Sequence, residues 1–264
     1  MLEQLNGATR VHFIVGDPIA QVKSPAGVTQ AFEARGHNAL VVPAHVAPDD
    51  LLVWLAGTSR SRNVDGIIVT VPHKFAAFEL CATTSDRARF LNTVNVMRRN
   101  PDGRWHGDMF DGQGFVTAMQ DCDGKPAAKR ALLAGAGGAG SAIAHAMVLA
   151  GVSVLAIHDE NAARRDALIE RLNGLNGVRV EAGSANPEGF DLVLNATPIG
   201  MKDGDPLPFD VSALAPHMHV GCVITAPAVT PLIAAARAKG CTTQTGADMF
   251  ARVRDLMVDF LLEH

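Results

Sequence analysis

Gly135, Gly137 and Gly140 form a G-x-G-x-x-G run between an apolar stretch, Ala131 to Ala134, and a helix-like stretch, Ser141 to Leu149. Glycines at that spacing permit a tight turn and let the backbone approach a pyrophosphate. The helix N-terminus behind them offers unpaired N–H groups to its charge. The loop Gly135-Ala136-Gly137-Gly138-Ala139-Gly140 therefore reads as a dinucleotide cradle, with a glycine-rich packing turn as the plainer alternative. Asp159 stands 19 residues beyond Gly140, just past the next apolar run, Val152 to Ile157. A carboxylate there accepts hydrogen bonds from the adenosine ribose hydroxyls and repels a 2′-phosphate, which favours NAD over NADP. Arg164 and Arg165, one helical turn on, point the other way, since either suits a phosphate; an exposed helix face is their plainer reading. Lys74 closes Thr70-Val71-Pro72-His73-Lys74 at the carboxyl end of a buried-strand pattern, where open α/β sheets bind their ligands. A lysine there is a candidate proton donor or acceptor, although a lone lysine is more commonly a solvated surface group.

These residues need rigid elements to hold them. Val11 to Val15, Ala39 to Val42 and Gly66 to Val71 are Val- and Ile-containing runs separated by amphipathic or polar segments. A second series follows at Ala131 to Ala134, Val152 to Ile157, Val178 to Glu181, Asp191 to Asn195 and Val220 to Ile224. Strands alternating with helical patterns predict an α/β fold, and two series predict two sheets and two domains. The turn-rich Asp111 to Gly114 and Asp121 to Gly124 place the boundary near Asp111, and Asp248 to Leu262 has the apolar spacing of a terminal helix.

The composition is that of a globular chain: 264 residues, 48% hydrophobic and 19% charged. A net charge of −4 lacks the basic excess that nucleic acid requires. Cys81, Cys122, Cys222 and Cys241 form no C-x-x-C pair, and the ten histidines show no ligand spacing, so no metal site is expected. The cysteine usage and the lack of a signal-like start predict a cytoplasmic protein. The stretch Ala131 to Ile157 carries no Asp, Glu, Lys or Arg, yet its glycines divide it into strand, loop, helix and strand, so no membrane span is expected.

Several further motifs occur in one order: Gly16-Asp17-Pro18-Ile19 with Lys23-Ser24-Pro25, Val69 to Lys74, Asn92-Thr93-Val94-Asn95, Gly107-Asp108 with Asp111-Gly112, the glycine loop, and Asn195 to Met201. Together they resemble the shikimate and quinate dehydrogenase family from about Val11 to the C-terminus. The resemblance implies an N-terminal α/β substrate domain (1-111 and 246-264), a C-terminal Rossmann domain (112-245) and an active site in the cleft between them. It implies that Lys74 is the catalytic lysine and Asp111 its paired aspartate, and that Ser24, Thr70, Asn95 and Thr225 hold the substrate. Thr197 and Met201 join the glycine loop, Asp159 and Arg164 on the cofactor side. The implied reaction moves a hydride between NAD or NADP and a ring secondary alcohol. An amine is a poor proton acceptor in neutral water, so Lys74 requires desolvation or a bound-state relay. The expected partner is a small molecule, on a chain that is a monomer or homodimer. The segment His158-Asp159-Glu160-Asn161 resembles the NAD-preferring members, not those with Asn-Arg-Thr there.

The chain departs from that family at Val22, Ile68, Met109, Phe110, Thr225 and Val253, where hydrogen-bonding side chains are usual. Each partner lost beside a buried polar group costs about 1 to 3 kcal/mol, so weak activity on shikimate and a preference for a less polar analogue are expected. The alternative is a nucleotide-binding sensor of the same fold that has lost turnover.

Overall fold

The structure, a computed structural model, describes residues 5–175 and 177–263. The chain forms two compact units, one holding residues up to Phe110 and from Arg254 on, the other Asp111–Val253. The first unit contains strands β1 (Arg10–Gly16), β2 (Ala39–His45), β3 (Val64–Val69), β4 (Thr83–Thr84), β5 (Val96–Arg99) and β6 (Trp105–Asp108). Their sheet order is β2-β1-β3-β5-β6-β4. β1 pairs in parallel with β2 and β3, whereas β3/β5 and β5/β6 are antiparallel. Helices α1 (Ser24–Ala34), α2 (Leu51–Thr58), α3 (Lys74–Glu79) and α4 (Asp86–Leu91) connect them. α4 starts where the Ser85 hydroxyl accepts the Ala88 N–H at 3.2 Å, and it stops at Asn92, whose φ of 53° is left-handed.

Among the departures from the sequence-based expectation, two lie near the candidate site residues of the first unit. β3 ends at Val69 instead of continuing to Val71, because Pro72 has no N–H for the ladder and the chain turns into α3. The hairpin β5–β6 was not expected at all, its strands being four residues each. Its turn, Asn100 to Arg104, is closed by an Asn100 N–H to Arg104 carbonyl bond of 2.8 Å, with Gly103 at φ 82°.

The second unit opens with α5 (Asp111–Asp121) and carries β7 (Arg130–Ala134), α6 (Gly138–Leu149), β8 (Val154–His158), α7 (Ala162–Leu172), β9 (Arg179–Ala182), β10 (Leu192–Asn195), β11 (His219–Cys222), α8 (Pro231–Ala238) and β12 (Thr242–Gln244). α9 (Gly246–Leu262) begins in this unit and ends in the first. All six strands run parallel in the order β9-β8-β7-β10-β11-β12. Numbered within the unit this is 3-2-1-4-5-6, the doubly wound order whose ligand crevice lies where the winding reverses, beyond β7 and β10. Helices cover both faces of such a sheet, which explains why Ala131 to Ala134 and Leu192 to Leu194 are continuously apolar and at most 2% exposed. Among the described residues no helix is long and apolar enough to cross a membrane.

Two buried histidines, His12 in the first unit and His219 in the second, contribute a response to acid. His12 lies in β1 against Phe32, ring centroids 4.6 Å apart, and neither ring nitrogen has a partner among the described residues. The His219 ring in β11 has its Nδ1 3.0 Å from Thr242 Oγ1. Burial lowers each from the usual 6.5 to about 4. The unfolded chain therefore binds more protons between those values, and stability is lost as the pH falls through that window. The loss is about 2 kcal/mol per histidine at pH 5. Urea unfolding at pH 7 and pH 5 checks this: His12→Leu is expected to remove roughly that one histidine's share of the pH dependence.

Candidate active site

In the first unit the carboxyl ends of β1, β2 and β3 gather the polar groups. Ser24 opens α1 and is buried; Thr70 follows β3, half-buried, its N–H donating to the Val15 carbonyl at 3.0 Å. Lys74 is the first residue of α3, only 9% exposed, and its carbonyl accepts the Val94 N–H at 3.1 Å. That bond sets the lysine backbone beside the segment carrying Asn95. Asn95, fully buried, is fixed on three sides: its carbonyl accepts the Val69 N–H (2.8 Å), its N–H donates to the Asp108 carbonyl (2.9 Å), and its Oδ1 accepts the Phe110 N–H (3.0 Å).

Asp108, which the motif reading did not assign a role, is the anchor beneath Asn95. Its carboxylate accepts both Arg87 Nε (2.7 Å) and Nη2 (2.6 Å), the Met109 N–H (2.7 Å) and the Ser85 hydroxyl. Burial pushes this carboxyl up, but the Arg87 and Ser85 bonds outweigh it and hold it below the usual carboxylate range. The Arg87 guanidinium also lies 4.3 Å over the Phe110 ring, whose other neighbour is Phe260, centroids 5.7 Å apart. Phe110 and Met109 are thus packed into the core instead of lining an open apolar wall, as are Ile68 in β3 and, in the second unit, Val253 against Gly114. Of the departures noted in the sequence, Val22 and Thr225 keep partial exposure.

In the second unit the glycine loop joins β7 to α6, and α6 begins at Gly138, three residues before the expected start. Each glycine has its own reason. Gly135 sits at φ 100° with Ala196 3.0 Å from where a Cβ would stand. A Cβ on Gly140 would press into the Gly135 carbonyl. Around Gly137 a Cβ would meet nothing within 4 Å, so the fold does not require glycine there; the open space is what a pyrophosphate needs. The residues present therefore fit a dinucleotide. Beside the loop, beyond β10, Asn195 Oδ1 accepts both the N–H (3.0 Å) and the hydroxyl (2.7 Å) of Thr197. Asp205 accepts the Gly200 and Lys202 N–H groups at 2.9 and 3.0 Å, shaping the turn that leaves Met201 exposed. Thr225 lies just past β11, and Asp111, 6% exposed, is the first residue of α5.

Asp159 does more than the sequence spacing suggested. Its Oδ2 accepts the Ala136 N–H of the glycine loop (2.7 Å) and its Oδ1 the Asn161 N–H (2.8 Å), while Arg164 Nη2 bonds both oxygens at 2.8 and 2.9 Å. Burial raises this carboxyl, yet Arg164 and the two N–H groups prevail and keep it low. Arg164 is therefore no idle surface cation, and Arg165 is likewise engaged, with Asp166 at 2.7 Å.

The family model described as the shikimate dehydrogenase substrate binding domain matches residues 14–97. A curated relative, the shikimate dehydrogenase (NADP(+)) of Rubrobacter xylanophilus, is 36% identical over 92% of this chain and 87% of its own. The chain belongs to the shikimate dehydrogenase family. Among solved structures of this family's fold, the quinate dehydrogenase from Corynebacterium glutamicum in complex with NAD has a TM-score of 0.85 at 27% identity, covering 96% of this chain and 94% of that one. The ligand-free 5-ketofructose reductase of Gluconobacter sp. strain CHM43 gives 0.85 at 26%, covering 97% and 94%. The residues matched by the substrate binding domain model, 14–97, all lie in the first unit, and the chain is an oxidoreductase by membership. Ser24, Thr70, Lys74 and Asn95 fall in the first unit. Asp111, the glycine loop, Asp159, Arg164, Thr197, Met201 and Thr225 fall in the second.

Proposed function

We propose that this member of the shikimate dehydrogenase family moves a hydride between a nicotinamide dinucleotide and a ring secondary alcohol or the matching ketone. The observation that carries the reading is a buried Lys74 at the carboxyl edge of one sheet, in a chain whose other sheet carries an open glycine cradle at its switch point. The cofactor supplies the hydride acceptor and donor when bound. Lys74 Nζ takes the hydroxyl proton as the alcohol carbon gives up its hydride, and returns it in the reverse direction. Asp111 supplies the negative charge that orients the amine and holds a substrate hydroxyl. Thr70 and Asn95 hold further hydroxyls, with Ser24 and Thr225 at the substrate's edge. Asn95 is suited to this because Asp108, Arg87 and Phe110 fix its orientation before substrate arrives. Gly135 to Gly140 seat the pyrophosphate, and Thr197 and Met201 border the nicotinamide.

NAD is the favoured cofactor, although the curated relatives carry NADP(+) in their names. A 2′-phosphate would meet Asp159 and the exposed Glu160, while the two nearby arginines are already paired with Asp159 and Asp166. Initial rates at the reduced-nicotinamide absorbance band decide it: kcat/KM for NAD is expected to exceed that for NADP about tenfold or more. Asp159→Asn, which weakens the hold on Arg164, is expected to narrow the ratio. Faster turnover of NADP by the unaltered protein contradicts the assignment.

The altered position Val22, which keeps partial exposure, favours a substrate without the carboxylate of shikimate or quinate. The similarity to a protein described as a 5-ketofructose reductase supports a neutral, polyhydroxylated class.

A further inference from the structure

We infer that Asp17 and His45, in the first unit, form a second polar contact for the substrate and read a vicinal diol on a neutral polyol. The inference deepens the reading above and rests on it. β1 ends at Gly16, in register with His45 at the end of β2. His45 Nε2 lies 2.7 Å from Asp17 Oδ1, and the Asp17 N–H donates to the Val71 carbonyl at 2.9 Å. The pair therefore stands at the carboxyl edge that also carries Ser24, Thr70 and Lys74. A Cβ on Gly16 would run into the Thr70 methyl group and stand 3.1 Å from the Val71 carbonyl. Only a glycine lets the Asp17 turn come this close to Thr70. Adjacent strands lie about 5 Å apart, so a six-membered ring held at Thr70 and Lys74 extends one to two strand spacings toward Asp17 and His45.

The chemistry of the pair selects its ligand. With Nε2–H donated to Asp17, the imidazole Nδ1 and the carboxylate Oδ2 are both acceptors, and neither has a partner among the described residues. Two neighbouring acceptors suit two hydroxyl donors. A substrate carboxylate has only acceptors to offer and the same charge as Asp17, so this edge disfavours it. Both side chains are accessible, His45 at 63% and Asp17 at 37% exposure. Val71, whose carbonyl accepts the Asp17 N–H, is 59% exposed and offers apolar surface to the C–H face of a ring.

An exposed hydrogen-bonded pair of this kind adds little to stability, so its removal leaves the fold intact. The test is steady-state kinetics of the unaltered protein, His45→Ala and Asp17→Asn with 5-ketofructose, shikimate and quinate, with Lys74→Ala as the control. The expected result is that the unaltered protein favours 5-ketofructose. Both variants then raise its KM about tenfold, with kcat held within threefold and the melting temperature and NAD(P) affinity unchanged. Lys74-dependent turnover with unaltered KM in both variants, or a preference for shikimate or quinate over 5-ketofructose, overturns this inference and leaves the proposed hydride transfer standing. No Lys74-dependent turnover on any of the three overturns the proposed function and this inference together.

Discussion

Lys74→Ala is expected to lower kcat about a thousandfold, near the middle of the range for losing a positioned acid–base group. The hydroxyl proton has to leave as the carbon's hydride does, and the amine at the head of α3 is the group assigned to receive it. The lysine is buried and its backbone is fixed from two directions: the Val94 N–H donates to its carbonyl at 3.1 Å, and α3 follows directly. The geometry thus resides in the backbone, and removing the side chain subtracts the proton acceptor without moving Asn95 or Thr70. NAD(P) affinity by calorimetry should be unchanged, because the cradle belongs to the other unit. Lys74→Arg should not restore turnover, since a guanidinium stays charged and cannot accept the proton. A Lys74→Ala protein retaining more than about a tenth of the rate would remove the lysine from the chemistry.

The second large effect separates two glycines three residues apart. Gly140→Ala is expected to destabilise the second unit by at least about 2 to 3 kcal/mol, because its Cβ would press into the Gly135 carbonyl and two backbone segments would have to separate. Gly137→Ala should leave the melting temperature unchanged, since nothing lies within 4 Å of its Cβ position. Its methyl group instead enters the space assigned to the pyrophosphate, so NAD(P) affinity should fall about a hundredfold. Melting curves with and without NAD read both effects. Equal NAD affinity in Gly137→Ala and the unaltered chain would mean that the loop is only a packing turn.

The parallel sheet of the second unit was legible because strands buried on both faces must be apolar throughout, as Ala131 to Ala134 and Leu192 to Leu194 are. The hairpin β5–β6 was not, since its four-residue strands Val96–Arg99 and Trp105–Asp108 mix arginine, histidine and aspartate with apolar residues. The turn signal Asn100-Pro101-Asp102-Gly103 was present and marks it. Local groupings were legible where the spacing is short, as in the glycine loop between β7 and α6 with Asp159 just past β8. Partnerships across the sequence were not. Arg87 and Asp108 are 21 residues apart and Asp17 and His45 are 28 apart, so only the folded sheet brings each pair together. The same holds for Arg164: its position implied a phosphate contact or a solvated face, whereas the fold turns it onto Asp159.

Hydride transfer itself is the central claim, and isotope tracing tests it most directly. The protein is incubated with reduced dinucleotide carrying two deuteriums at the nicotinamide C4 and with 5-ketofructose or dehydroshikimate, and the alcohol formed is weighed by mass spectrometry. The account predicts one deuterium on the new carbinol carbon of at least one product, absent when Lys74→Ala is used over the same interval. Bound dinucleotide with no deuterated product from either ketone would contradict it, and would identify the chain as a nucleotide-binding protein without turnover.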